Sequence, residues 1–202
     1  MKRLYVIDTF DTKAPELQFA AISTRNAGVE VVLVDVSTQK SSGGADTEPA
    51  TVASYHPEGE KAVLGLTDRG AAVAGMADAL SAFLKTRDDV GGVLGLGGSG
   101  NTDLVTHAIR TLPIGTPKLM LSTVASGNTA PYFGPNDIAM MYSVVGIAGL
   151  NAISRRVIAN AAHAVAGMVK GEIPSHESDK PAIGIDHVRR HNRFRNPGPQ
   201  TP

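Results

Sequence analysis

Lys13, Ser99, Asn101 and Thr102 are the side chains best placed in this sequence to hold an anion, because each follows an apolar run within a short polar segment. Gly95-Leu96-Gly97-Gly98-Ser99-Gly100-Asn101-Thr102 ends the apolar pair Val93-Leu94 and opens a helix-period segment. Glycine lets a backbone approach a ligand closely, and the first N–H groups of a helix have no partner within it. Together they cradle phosphate, so Gly97, Gly98, Ser99, Gly100, Asn101 and Thr102 are candidate nucleotide-binding residues. A second apolar run, Leu119-Met120-Leu121, ends in Ser122-Thr123-Val124-Ala125-Ser126-Gly127. The hydroxyls of Ser122, Thr123 and Ser126 and the backbone of Gly127 suit a second phosphate or a ribose. Asp11-Thr12-Lys13 follows the first apolar run, where open α/β sheets hold their ligands. Thr12 and Lys13 would meet phosphate beside Asp11; capping of a helix by Asp11 or Thr12 is the alternative. Arg69, in Asp68-Arg69-Gly70, and Arg155 are further candidates for anion contact.

Other chemistries fit less well. Gly95, Gly97 and Gly100 satisfy G-x-G-x-x-G, but the dinucleotide fingerprint opens the first βαβ unit with an acid about 20 residues later, and neither condition holds here. No Gly-Lys-Ser or Gly-Lys-Thr follows a glycine turn, so there is no P-loop. Ala125-Ser126-Gly127 lacks the flanking glycines of a nucleophile elbow. The sequence has 6 histidines and no cysteine, which excludes thiolate chemistry and disulfides. No His pair has metal-ligand spacing, and no metal site is expected.

Loops of this kind need a sheet to position them. Leu4–Ile7, Val31–Val34, Val93-Leu94, Leu119–Leu121 and Ile138–Tyr142 read as strands, separated by helix-period segments. Those segments are Glu16–Asn26, a helix capped by Asp68 with Val73, Met76, Ala77, Leu80, Phe83 and Leu84 as its buried stripe, Asp103–Arg110, and Leu150–Val169. The last repeats Leu150, Ile153, Val157, Ile158, Ala161, Val165 and Met168 on one face, with Gly171 and Pro174 to end it. Residues 37–66 read as a long irregular excursion. Alternating strands and helices predict an α/β, doubly wound, Rossmann-like parallel sheet with helices on both faces.

The chain has 202 residues, with 19 basic and 19 acidic side chains and a formal charge of zero. That balance favours neither nucleic acid nor an anionic membrane as a specific partner. No apolar run approaches the roughly 20 residues of a membrane span, and a cytoplasmic location is expected. Residues 1–178 read as one nucleotide-binding α/β domain. Residues 179–202 read as a linker, the start of another strand at Ala182–Ile185, and a basic tail from Asp186 that is either disordered or out of frame. Back-translating Asp186 to Asn192 with one base dropped gives Thr-Met-Phe-Gly-Val-Thr, a strand followed by a small-residue turn.

Asp11-Thr12-Lys13, Asp68-Arg69-Gly70, the glycine loop, Pro113-Ile114-Gly115-Thr116-Pro117-Lys118, Ser122–Gly127, Ser143-Val144-Val145 and Ile147–Arg155 occur in a fixed order. This order resembles the uncharacterised bacterial family related to the ATP-binding domain of the tomato mosaic virus resistance protein, from about Arg3 to Ile185. The resemblance implies a protein of about twice this length with a second α/β half, opening on a Gly-Ile-Thr-Met-Phe-Gly-Val-Thr-Thr-like segment, which Gly184-Ile185 and the shifted frame reproduce. It implies ATP as ligand, with or without magnesium. Gly146 stands where the family is expected to carry an acid. The expected function is binding of ATP, another nucleotide or a phosphorylated small molecule; the alternative is half of an enzyme completed by the second half. A chain cut at this point would expose a sheet edge or apolar patch, so a homo-oligomer is expected as well.

Overall fold

The computed structural model describes residues 2–39, 41, 43–146 and 149–172. Five apolar segments form parallel strands: β1 (Arg3–Asp8), β2 (Val31–Asp35), β3 (Val90–Gly97), β4 (Lys118–Ser122) and β5 (Ala139–Tyr142). They lie in the order β2-β1-β3-β4-β5, a doubly wound arrangement. Register pairs Asp8 with Asp35, Ile7 with Gly95 and Gly97 with Ser122, so the three central strands end level with one another.

Side-chain alternation divides the core into two layers. Tyr5, Ile7, Val32 and Val34 pack with α3 (Arg69–Lys85) and α4 (Ser99–Ile109) on one face. Leu4, Val6, Leu33, Leu94 and Leu96 pack with α1 (Phe10–Asn26) and α6 (Ala152–Lys170) on the other. The short helices α2 (Pro49–Ala53) and α5 (Ala130–Phe133) and two 3₁₀ turns (Glu60–Ala62 and Thr123–Ser126) complete the regular elements among the described residues. Asp68 caps α3 by accepting from the Gly70 and Ala71 N–H groups. Asn151 and Ser154 form a reciprocal capping box on α6.

Several boundaries differ from those expected. Helix α1 begins at Phe10, six residues before Glu16, and bends at Lys13, whose backbone leaves the helical region (φ −136°, ψ 21°). Its early start is supported from the end of β2 and the loop after it: the Phe10 N–H donates to Asp35 Oδ1 (3.0 Å), and the Asp11 N–H to Ser37 Oγ (3.3 Å). Helix α4 begins at Ser99, not at Asp103, so most of the glycine loop is the first turn of a helix. The excursion over 37–66 is partly ordered into α2 and a 3₁₀ turn at Glu60–Ala62. Val52, Ala53 and Val63 are fully buried there, which supplies the stabilisation that periodicity did not reveal. Ile153 and Met168 lie off the buried stripe of α6, at 53% and 47% exposure. Pro174, the linker at 179–181, the strand at Ala182–Ile185 and the basic tail fall outside the described residues, as do Ile147 and Ala148.

Candidate functional site

Between β1 and β3 the winding reverses. Strand β1 leads into α1 on one face, and β3 leads into α4 on the other, which opens a crevice at the carboxyl ends of the strands. A cavity of about 550 Å³ occupies that crevice. Its walls are Thr9, Asp11, Thr12 and Lys13 after β1, Val36, Thr38 and Gln39 after β2, Arg69 and Val73 on α3, and Gly98, Ser99, Gly100, Asn101 and Leu104 on α4. The residues singled out at 11–13, at 98–101 and at 69 are thus brought together, although they come from three separate stretches of chain.

The remaining candidates lie elsewhere. Gly97 is buried beneath the wall, and a Cβ there would sit 2.6 Å from Asn101 Cβ. Thr102 and Ser122 are fully buried, with their hydroxyl oxygens 2.6 Å apart. Thr102 also donates to the Gly98 carbonyl (2.8 Å), and Ser122 accepts from the Val124 N–H (3.1 Å). These two hydroxyls join the loops after β3 and β4. Thr123 comes near Gly98, its Oγ1 lying 3.7 Å from where a Cβ on that glycine would be. Ser126 and Gly127 are exposed at the end of a 3₁₀ turn and do not line the cavity. Arg155 stacks its guanidinium over Phe19, 5.4 Å from the ring centroid, on the α1 and α6 face of the sheet.

Helices α1, α3 and α4 all start at this end of the sheet, but their first turns are treated differently. Asp35 and Ser37 satisfy donors of α1, and Asp68 satisfies those of α3. Helix α4 has Gly98 at its N-cap and no side-chain cap. Among the described residues nothing accepts from the N–H groups of Ser99, Gly100 and Asn101, and the positive end of the helix dipole points into the cavity wall. Lys13 and Arg69 add two cations to the same lining. Against one carboxylate in the lining, Asp11, this puts unpaired donors and two cations around one cavity.

Asp8, which sequence reasoning passed over, closes β1 directly beneath the cavity wall and has no solvent exposure. Its Oδ1 accepts from the Thr9 N–H (2.7 Å) and the Asn101 amide, and lies 3.8 Å from Lys13 Nζ. Its Oδ2 has no hydrogen-bond partner among the described residues. Burial pushes the Asp8 carboxyl up to about 7, against the opposing pull of Lys13, the Thr9 N–H and Asn101. The signal was present: an acid ends an otherwise apolar strand at the point where ligands bind in such sheets. Asp35 ends β2 in the same way, but it is fully engaged by the Phe10 N–H, the Ser37 N–H and hydroxyl, and the Ser41 hydroxyl.

Among the described residues no three His, Cys, Asp or Glu side chains gather as a metal site. His107 pairs with Asp78 at the surface (3.0 Å), and neither lines the cavity. No helix among the described residues is long and apolar enough to cross a membrane.

The sequence model of the uncharacterised protein family (UPF0261) N-terminal domain matches residues 2–174. A UPF0261 protein of Mesorhizobium japonicum is 48% identical over 185 residues, covering 92% of this chain and 46% of the relative. A UPF0261 protein of Clostridium tetani is 37% identical over 190 residues, covering 91% and 46%. The ToMV resistance protein Tm-1(GCR237) of Solanum lycopersicum is 41% identical over 192 residues, covering 86% of this chain and 26% of that protein. The chain therefore spans about half the length of these bacterial relatives.

Proposed function

The chain belongs to the UPF0261 family through its N-terminal domain, and from that premise we propose that it binds ATP or a related nucleotide in the cavity between β1 and β3. The observation that carries this reading is the uncapped first turn of α4, which faces the same cavity as Lys13 and Arg69. Free N–H groups, a helix dipole and two cations together favour a polyanion. The volume falls in the range of small-molecule sites, roughly 300 to 1,000 Å³, so there is room for more than inorganic phosphate. The same chemistry would accept a phosphorylated small molecule without a base, with or without magnesium.

Calorimetric titration with ATP and with inorganic phosphate, each with and without magnesium, tests the reading. Ser99→Pro is the informative control. Proline is tolerated at the first helical position, and Gly98 already has the extended backbone that precedes proline (φ −84°, ψ −168°). The variant removes one cradle N–H and keeps the fold. Saturable ATP binding weakened about tenfold or more in Ser99→Pro is the expected result. Equal affinity in the two proteins would take the α4 turn out of the site.

A second reading is favoured by the coverage: the chain spans 46% of its Mesorhizobium relative. On this reading the domain is half of an enzyme acting on a nucleotide or a phosphorylated small molecule, with reacting groups supplied by the other half. Assaying ATP turnover by such a full-length relative separates the two. Binding without turnover supports a binding module.

A further inference from the structure

Lys13 faces two ways: it lines the cavity, and it is the sole cation within ion-pair distance of Asp8 among the described residues. We propose that anion binding in this cavity is coupled to proton uptake by Asp8, because the incoming charge competes for Lys13 and leaves the buried carboxylate without a counter-ion. This rests on the nucleotide-site reading above.

The geometry supplies each part. Asp8 has no exposure, so water cannot replace a lost cation. Its Oδ1 is occupied by the Thr9 N–H and the Asn101 amide, both of which also suit a neutral acid. Its Oδ2 has no hydrogen-bond partner among the described residues and is the oxygen left to carry the proton. Among the described residues the charged groups around it are Lys13 and Asp11 on α1 and Asp35 beside it on β2, and α4 contributes the neutral Asn101 amide. Asp11 raises the carboxyl further, and Asp35 is engaged by its own donors. The bend in α1 falls at Lys13, which places this ammonium between carboxylate and cavity. A phosphate at the start of α4 would draw Lys13 toward itself and add negative charge near Asp8. Both effects favour the protonated acid. Since the free carboxyl is poised at about 7, the coupling would operate near neutral pH.

The test is ATP titration calorimetry at pH 7 in two buffers of different ionisation enthalpy, on wild type and Asp8→Asn. Asparagine mimics the protonated acid, and protons exchanged by ATP itself cancel in the difference. Wild type is expected to take up about half a proton more than the variant, and its affinity relative to the variant should fall about tenfold from pH 6 to pH 8. A carboxyl carbon NMR titration of Asp8 with and without ATP gives the same answer without the variant, as an upward displacement of its midpoint. Binding with equal proton counts, or an unmoved midpoint, overturns the coupling and leaves the site standing. If wild type binds neither ATP nor phosphate, the site fails and the coupling with it.

Discussion

Thr102 Oγ1 and Ser122 Oγ lie 2.6 Å apart with no exposure, tying the first turn of α4 to the end of β4. Each hydroxyl has a second bond, to the Gly98 carbonyl and from the Val124 N–H respectively. Replacing either leaves a buried partner unsatisfied, at a cost of about 1 to 3 kcal/mol. Thr102→Val and Ser122→Ala should each destabilise by that order in chemical denaturation. The double variant should cost less than the two together, because the shared bond is lost only once. Simple additivity would mean that the two hydroxyls do not interact.

A side chain at Gly100 would enter open space, since a Cβ there meets nothing within 4 Å, yet this residue lines the cavity. Gly100→Leu should therefore block the ligand while leaving the fold intact. Replacing a glycine in the first turn of a helix costs no helix propensity. Loss of ATP binding with an equal or higher melting temperature is the expected pair of results. Retained affinity would place the ligand away from α4.

Gly97 behaves oppositely, although it stands only three residues earlier. Its Cβ would lie 2.6 Å from Asn101 Cβ, against a residue whose amide is bound to Asp8. Relief requires moving either the start of α4 or that amide. Gly97→Ala should destabilise by about 1 to 3 kcal/mol, and Gly100→Ala should not. Comparing the two by thermal unfolding measures how tightly the turn is packed.

Strands and helix faces were legible because they depend on local alternation: Leu4, Val6 and Tyr5, Ile7 pack on opposite layers as a period of two requires. The start of α1 was not, since the groups that satisfy Phe10 and Asp11 are Asp35 and Ser37, far along the chain. Glycines hid the true start of α4, because their low helix propensity reads as loop even where the tertiary fold imposes a helix. The cavity's first wall was visible in Asp11-Thr12-Lys13 and in Gly98–Asn101. The second loop resembled it in composition, but Ser122 caps a 3₁₀ turn that carries Ser126 and Gly127 away from the cavity lining.

Within Pro113–Lys118, part of the motif order that carried the family resemblance, the two end residues hold the start of β4. Lys118 is buried at the start of β4, and its ammonium donates to the Pro113 carbonyl (2.9 Å) and Asp137 Oδ1 (2.5 Å). Asp137→Ala would strand that buried ammonium with one carbonyl, at a cost of about 1 to 3 kcal/mol because the carboxylate it loses is itself partly exposed. Denaturation should show that loss while ATP affinity of the folded protein is unchanged, because none of these residues lines the cavity. A fall in affinity at full folding would connect the two ends of β4.

Asp8 gives stability a pH dependence of unusual sign for a carboxylate. Burial raises its pKa to about 7 in the folded protein, above the ordinary 3.8. The native state therefore holds this proton more tightly than the unfolded chain. Its contribution is fully present below the unfolded value and is lost as pH rises through about 7, a change on the order of 4 kcal/mol. Asp8→Asn has no such proton to lose. The variant should gain on wild type as pH rises from about 4 to 8, whatever fixed cost its amide brings in the place of Oδ2, and other titrating groups cancel in the difference. Melting temperatures of the two proteins across that range provide the measurement. A constant difference would show that Asp8 ionises as an exposed carboxylate does, and that Lys13 and Asn101 fully compensate its burial.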